Sequence, residues 1–127
     1  MQRKSSDSVR VFYPKLNGDE VIRILSERLK EFDKELPLVW AVLFGSYAKG
    51  NYTVGSDIDL LVVHRGEKRA DAYALVKKVL DLPRLEPHIY AEGEAAEMKG
   101  TIRRMAEGGI ILFENRVDVG SVKGVDQ

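Results

Sequence analysis

Gly45-Ser46 and Asp57-Ile58-Asp59, with ten residues between them, are the groups in this sequence whose types and spacing could do chemistry. A glycine has no Cβ, so an anion can come close to the main chain, and amides that open a helix point toward it. Gly45-Ser46 therefore reads as a phosphate-holding turn. Asp57 and Asp59 stand two apart at the head of the apolar run Leu60-Leu61-Val62-Val63, and alternate residues of a strand share a face. Two carboxylates side by side repel unless a cation lies between them, and oxygen-only ligands suit Mg²⁺ bound jointly with substrate phosphates. Either half alone describes an ordinary turn or a solvated strand edge. Together they describe metal-assisted transfer of a nucleotidyl group.

The elements that position these groups follow from pattern. Leu38 to Phe44 is an unbroken apolar run between Pro37 and Gly45, which predicts a buried strand delivering Gly45 to one end of a sheet. Ser46 is then expected as the N-cap of a short helix that Gly50 stops, with Lys49 near the phosphates. The loop Asn51 to Ser56 leads to the acids, and Gly55 is expected to take a positive φ just before them. Asp57 to Val63 is the second strand. Upstream, Ile22, Leu25, Leu29, Phe32 and Leu36 step by three and four, an amphipathic helix from Asp19 to Pro37. Downstream, Ala72, Leu75, Val79 and Leu82 mark a helix closed by Pro83. Leu85 to Tyr90 reads as a third strand, Glu94 to Glu107 as one helix with Met98, Ile102 and Met105 inward, and Ile110 to Phe113 as a last strand. Val9 to Tyr13 reads as a short strand or an arm on a partner, within a flexible arm over residues 1–17. Residues 18–114 form the expected domain and 115–127 a mobile tail. Strands interleaved with helices predict an α/β (α+β) class, a mixed β-sheet with helices packed on one face.

Composition narrows the function. With 127 residues, the chain has room for one sheet and a few helices but not for a separate substrate-recognition domain. Lys plus Arg and Asp plus Glu are both 20, so no basic field favours nucleic acid, and a long RNA or DNA is not the expected acceptor without a partner. No cysteine is present, which excludes disulfides, thiolate nucleophiles and Cys-type zinc sites. Leu38 to Phe44, seven residues, falls far short of the ~20 that cross a bilayer, and no signal-peptide core follows the polar start; a cytoplasmic protein is expected.

The segment Gly45-Ser46-Tyr47-Ala48-Lys49-Gly50 through Ser56-Asp57-Ile58-Asp59-Leu60-Leu61-Val62 resembles the signature of the minimal nucleotidyltransferases, the small members of the DNA polymerase beta-like superfamily. The resemblance extends over roughly Pro37 to Glu114 and implies the nucleotidyltransferase fold. It implies that Gly45, Ser46 and nearby amides hold the nucleotide phosphates and that Asp57 and Asp59 bind two Mg²⁺ ions. It also implies a third carboxylate on a later strand, best matched by Glu86, where the family more often has Asp; Asp57, Asp59 and Glu86 would form the catalytic set. Tyr47 stands where many relatives carry a basic residue, and Lys49 is the candidate that compensates. Small members are often encoded beside a helical HEPN-domain ribonuclease, so ATP or another NTP and a HEPN-type protein are the implied partners. Oligomers are open.

Two functions compete on the same residues. One is an enzyme moving AMP from ATP to a hydroxyl, with Glu86 taking the proton. The other is an antitoxin-like binding module that grips a HEPN-type toxin with weak or no catalysis. A glycosyltransferase, which also uses Asp-x-Asp, would need a larger nucleotide-sugar domain. The chain is not itself the ribonuclease, because no arginine is followed by a histidine after four to six residues; Arg84 and His88 have three between them. Of the remaining polar candidates, His88 shares the strand face of Glu86 and reads as a half-buried structural histidine. His64 falls on the face opposite the aspartates. Tyr47 and Tyr52 flank the site as base-stacking candidates or core covers, Trp40 and the methionines read as core, and Arg103 and Arg104 as exposed charge.

Overall fold

A computed structural model describes residues 17–53 and 55–115. The chain runs α1 (Gly18–Glu35), β1 (Leu38–Phe44), α2 (Ser46–Lys49), β2 (Ile58–His64), α3 (Ala72–Leu80), β3 (Leu85–Ala91), α4 (Glu92–Glu97), α5 (Lys99–Ala106) and β4 (Ile110–Glu114). The strands form one mixed sheet in the order β3-β2-β1-β4, with β1 antiparallel to both neighbours and β2 parallel to β3. The mixed α/β sheet is as expected, but its helices are not confined to one face as expected: α1 and α3 cover one side, and α4 and α5 pack on the other because Val42, Leu61 and Val63 point there and need cover. Asn17 caps α1, and the Asn115 amide donates to the Val39 carbonyl at 3.1 Å. The rest of the expected arm and tail, including Val9 to Tyr13, lies outside the described residues.

One sheet face carries the main helical layer. Asn17 and Glu20 form a reciprocal capping box, Oδ1 of Asn17 accepting from the Glu20 amide at 2.8 Å and Oε1 of Glu20 from the Asn17 amide at 3.1 Å. The buried stripe of α1 is Val21, Leu25, Leu29 and Phe32, so Val21 takes the place expected of Ile22, which lies at the flank. The stripe packs on Ala41, Leu43, Ile58, Leu60 and Val62, which all point to this face. Each such side chain taken fully from water contributes on the order of 1.5–3 kcal/mol. In α3 the buried positions are Ala72, Val76 and Leu80 rather than Leu75 and Val79. The helix ends before Pro83 because Asp81 turns left-handed at φ 44°, and Arg28 of α1 donates to the freed Leu80 and Asp81 carbonyls at 2.6 and 2.9 Å.

The other face holds a smaller core of Val42, Leu61, Val63 and Ile102, with Trp40, Phe44, Tyr90 and Met105 packed against it. Here the single helix expected over Glu94 to Glu107 is two, broken at Met98, which leaves the helical basin at φ −114°, ψ 36°. Gly93 and Gly100 weaken the run on either side, and the break turns α5 so that Ile102 reaches the sheet. Met98 is exposed instead of buried. Trp40 is half-buried and borders a groove of about 490 Å³ between β1 and α5. Gly109 enters β4 where a Cβ would sit 2.7 Å from Val42 Cγ1 and 2.8 Å from the Leu43 carbonyl oxygen, so only glycine admits this approach.

Candidate active site

The end of β1 meets the beginnings of β2, β3 and β4 at one end of the sheet, as the pairings Phe44 with Asp59, Asp59 with Glu86 and Leu43 with Ile110 show. There the chain turns through Gly45 at φ 78°, ψ −153°. A Cβ on Gly45 would overlap Asp59 Oδ2 and stand 3.2 Å from its Cγ. Glycine is therefore required twice, for the backbone angle and for the carboxylate against it. Gly45, not Ser46, is the N-cap of α2, and without a side chain it makes no capping bond; Ser46 is the first helical residue. The Gly45 carbonyl accepts from the Ala48 and Lys49 amides, both at 3.1 Å, which leaves the Ser46 and Tyr47 amides without a helical partner. A four-residue helix has almost no macrodipole, so any pull on an anion comes from these individual N–H groups. Gly50 ends the turn at φ 83° as expected.

The acids occupy distinct environments. Asp59 lies within β2, its side chain 28% exposed, whereas Asp57 stands ahead of the strand and is 58% exposed. Strand alternation therefore governs Asp59 but not Asp57, which leans instead toward Arg84 Nη2 at 3.6 Å. Glu86 is beside Asp59 in the parallel register, which places both on one face. Its Oε1 accepts from the Tyr73 hydroxyl at 3.4 Å. Partial desolvation first, then the neighbouring Glu86 charge, pushes the Tyr73 phenol pKa up. β3 is an edge strand, which explains how Pro87 is accommodated beside Glu86.

Arg84 borders the candidate site, and the sequence pattern did not point to it. At φ 65° it accepts at its carbonyl from the Ile58 amide at 2.8 Å, while Nη2 donates to the Gly55 carbonyl at 2.5 Å and Nε to the Ser56 carbonyl at 3.3 Å. It thus pins the loop that connects the Gly45-Ser46 turn to the acids. Gly55 does not take the expected positive φ. Its loop is shaped instead by the Ser56 hydroxyl, which accepts from the Thr53 amide at 2.8 Å. Pro83-Arg84 just before a strand was the available signal, but a non-glycine left-handed residue has no sequence signature.

His88 sits on the site face with its ring 5.1 Å from that of Phe44. Among the described residues its buried Nε2 atom has no hydrogen-bond partner, and it lies 3.5 Å from Asp59 Oδ1. A buried unsatisfied donor costs about 1–3 kcal/mol. His64 is fully buried on the other face, its Nδ1 2.9 Å from the Arg65 carbonyl oxygen. Tyr47 is buried in the main core with its ring edge-on to Tyr52 at 4.3 Å, and the Tyr52 hydroxyl accepts from the Gly18 amide at 2.8 Å. Both tyrosines thus cover a core edge and neither is presented to stack a base. Burial, and then Tyr52, raises the Tyr47 phenol pKa. Lys49 is exposed on α2.

Among the described residues no three acids or histidines converge closely enough to hold a metal ion. The donor chemistry nevertheless suits Mg²⁺: Asp59 and Glu86 are adjacent carboxylates, and the contacts that hold Asp57 and Glu86 aside are exposed and weak. The large groove at Trp40 lies away from these acids, so chemistry rather than concavity marks the site.

The chain belongs to the nucleotidyltransferase domain family, whose pattern it matches over residues 22–113. Its fold resembles that of a presumed nucleotidyltransferase from Sulfolobus solfataricus, with TM-score 0.55, 21% identity and coverage of 79% of this chain and 86% of the other. A toxin–antitoxin structure solved with AMP-PNP gives TM-score 0.51 at 20% identity over 73% of this chain and 76% of the other. At these identities the likeness is one of fold. An energy-coupling factor transporter ATP-binding protein, EcfA2, of Acetivibrio thermocellus is 29% identical over 99 residues, 78% of this chain. The chain spans about a third (34%) of that relative's length. Gly45 and Gly50 have the spacing of P-loop glycines, but Asn51 and Tyr52 replace the Lys and Ser/Thr that follow in such a loop.

Proposed function

We propose that this domain transfers AMP from ATP to a hydroxyl on a partner protein, with Asp57, Asp59 and Glu86 as the acidic set. The observation that carries the reading is Asp59 closing directly on Gly45 while Glu86 lies beside it, which joins a phosphate turn to adjacent carboxylates. The Ser46 hydroxyl and the Ser46 and Tyr47 amides would hold the distal phosphates, with Lys49 a further cation at the turn. The acceptor oxygen bonds to the α-phosphorus as the bond to pyrophosphate breaks, and Glu86 takes the hydroxyl proton. The three carboxylates would hold two Mg²⁺ ions, which supply charge neutralisation on the phosphates and the leaving group. No helix among the described residues is long and apolar enough to cross a membrane. Equal numbers of acidic and basic residues support a protein acceptor over a long nucleic acid, and the assembly solved with AMP-PNP supports a toxin partner of the HEPN type that the signature implies.

A second reading, an antitoxin-like module with weak or no catalysis, is favoured by Asp57 and Glu86 being turned toward Arg84 and Tyr73 rather than toward each other. Labelled ATP with Mg²⁺ and a candidate HEPN-type protein separates the two. Transfer of label to a partner tyrosine, lost in Glu86→Gln with ATP affinity largely kept, supports the enzyme. A silenced partner without label gives the binding module.

A further inference from the structure

We infer that His88 is a positioning residue for Asp59, its Nε2–H holding Oδ1 so that Oδ2 is committed to the phosphate-turn side. The inference rests on the nucleotidyl-transfer reading. Three adjacent strands converge on this contact: Phe44 ends β1, Asp59 is its partner on β2, and His88 lies two residues beyond the Asp59 partner Glu86 on β3. The imidazole is packed at a 59° tilt on the Phe44 ring, which limits how it can turn. Its Nε2 is buried, has no hydrogen-bond partner among the described residues, and lies 3.5 Å from Asp59 Oδ1.

An Nε2–H tautomer fits that geometry. With the proton on Nδ1, the Nε2 lone pair would face a carboxylate oxygen and be repelled; with the proton on Nε2, a shift of about half an ångström closes an ordinary N–H···O bond. The two Asp59 oxygens are then addressed separately. Oδ1 faces His88, and Oδ2 lies against the α-carbon of Gly45, where a Cβ would overlap it. A carboxylate free to rotate would present either oxygen to a cation, whereas one held at Oδ1 presents a fixed Oδ2. Carboxylates that bind metal ions are commonly held in this way by a neighbouring donor.

Long-range ¹H–¹⁵N correlation on the full chain, without nucleotide or metal, reads the contact directly. The His88 Nε2 is expected to appear as the protonated nitrogen and to shift in Asp59→Asn. Calorimetry of ATP with and without Mg²⁺ then reads the role. His88→Leu should weaken the Mg²⁺-dependent part of binding by about tenfold or more at an unchanged melting temperature, and His88→Gln, which keeps an N–H donor, should restore most of it. A proton found on Nδ1, or equal losses in the Leu and Gln variants, overturns the inference. If His88→Leu is silent while Asp59→Asn is disabling, only the role of His88 falls. If Asp59→Asn itself leaves Mg²⁺-dependent binding intact, the nucleotidyl-transfer reading falls and His88 with it.

Discussion

The two faces of the sheet are built to different standards. The α1–α3 face is continuous and dry: Leu25, Leu29, Phe32, Leu43, Leu60 and Leu80 are all fully buried. The opposite side has, among the described residues, a core of four buried apolar residues, a broken helix pair that covers only part of the sheet, and at its uncovered end Asp59, Glu86 and His88. Stability and chemistry are thereby separated through the thickness of one sheet. A strand such as β2 serves both, since Ile58, Leu60 and Val62 anchor it while Asp59 projects from the other side.

That separation can be broken from either side. Phe32→Ala removes a fully buried ring from the continuous face and should cost about 3–5 kcal/mol, whereas Ile102→Ala on the thinner face should cost near 2 kcal/mol, the lower end for a buried aliphatic. Urea unfolding of both variants checks this, and equal losses would mean that the two faces share one core. Asp59→Asn should act in the opposite sense: Mg²⁺-dependent transfer falls by about 10²–10³-fold while the melting temperature stays put. A large stability change would make Asp59 a structural residue.

Smaller effects sharpen the boundary of the site. Ser46→Ala should weaken ATP by about 1.5–3 kcal/mol and AMP by much less, as one hydrogen bond to a charged distal phosphate is lost. Equal losses measured by calorimetry would remove Ser46 from phosphate binding. Arg84→Ala should cost less than about 1 kcal/mol of stability, because its ion pair with Asp57 is half-exposed. It should nevertheless speed amide exchange at Ser56 and Asp57 and weaken ATP; an unaffected loop would show that Thr53 and Ser56 hold it alone.

Much of this was readable in the chain. β1 was bounded correctly because an apolar run between Pro37 and Gly45 admits few alternatives. The errors share a cause. Ile22 and Leu75 are as apolar as Val21 and Val76, so a helix with apolar residues on neighbouring positions does not say which one faces inward. The break at Met98 was missed because a 3.6-residue period continues through it on paper, and the gain from seating Ile102 on Val42, Leu61 and Val63 is not local.

For the site, sequence by itself supplied the candidate groups: a glycine-serine turn, neighbouring carboxylates and no thiol, in an order that resembles one family's signature. Tertiary structure decided who touches whom. Gly45 must be glycine because Asp59, fourteen residues later, comes to rest against it, and Arg84 reaches Gly55 and Ser56 because β3 pairs in parallel with β2. His88 acquires a reason for its place only when Phe44 and Asp59 arrive beside it on two other strands. Local pattern encodes which atoms are available. Strand register, set by burial of residues far from the site, decides which of them meet.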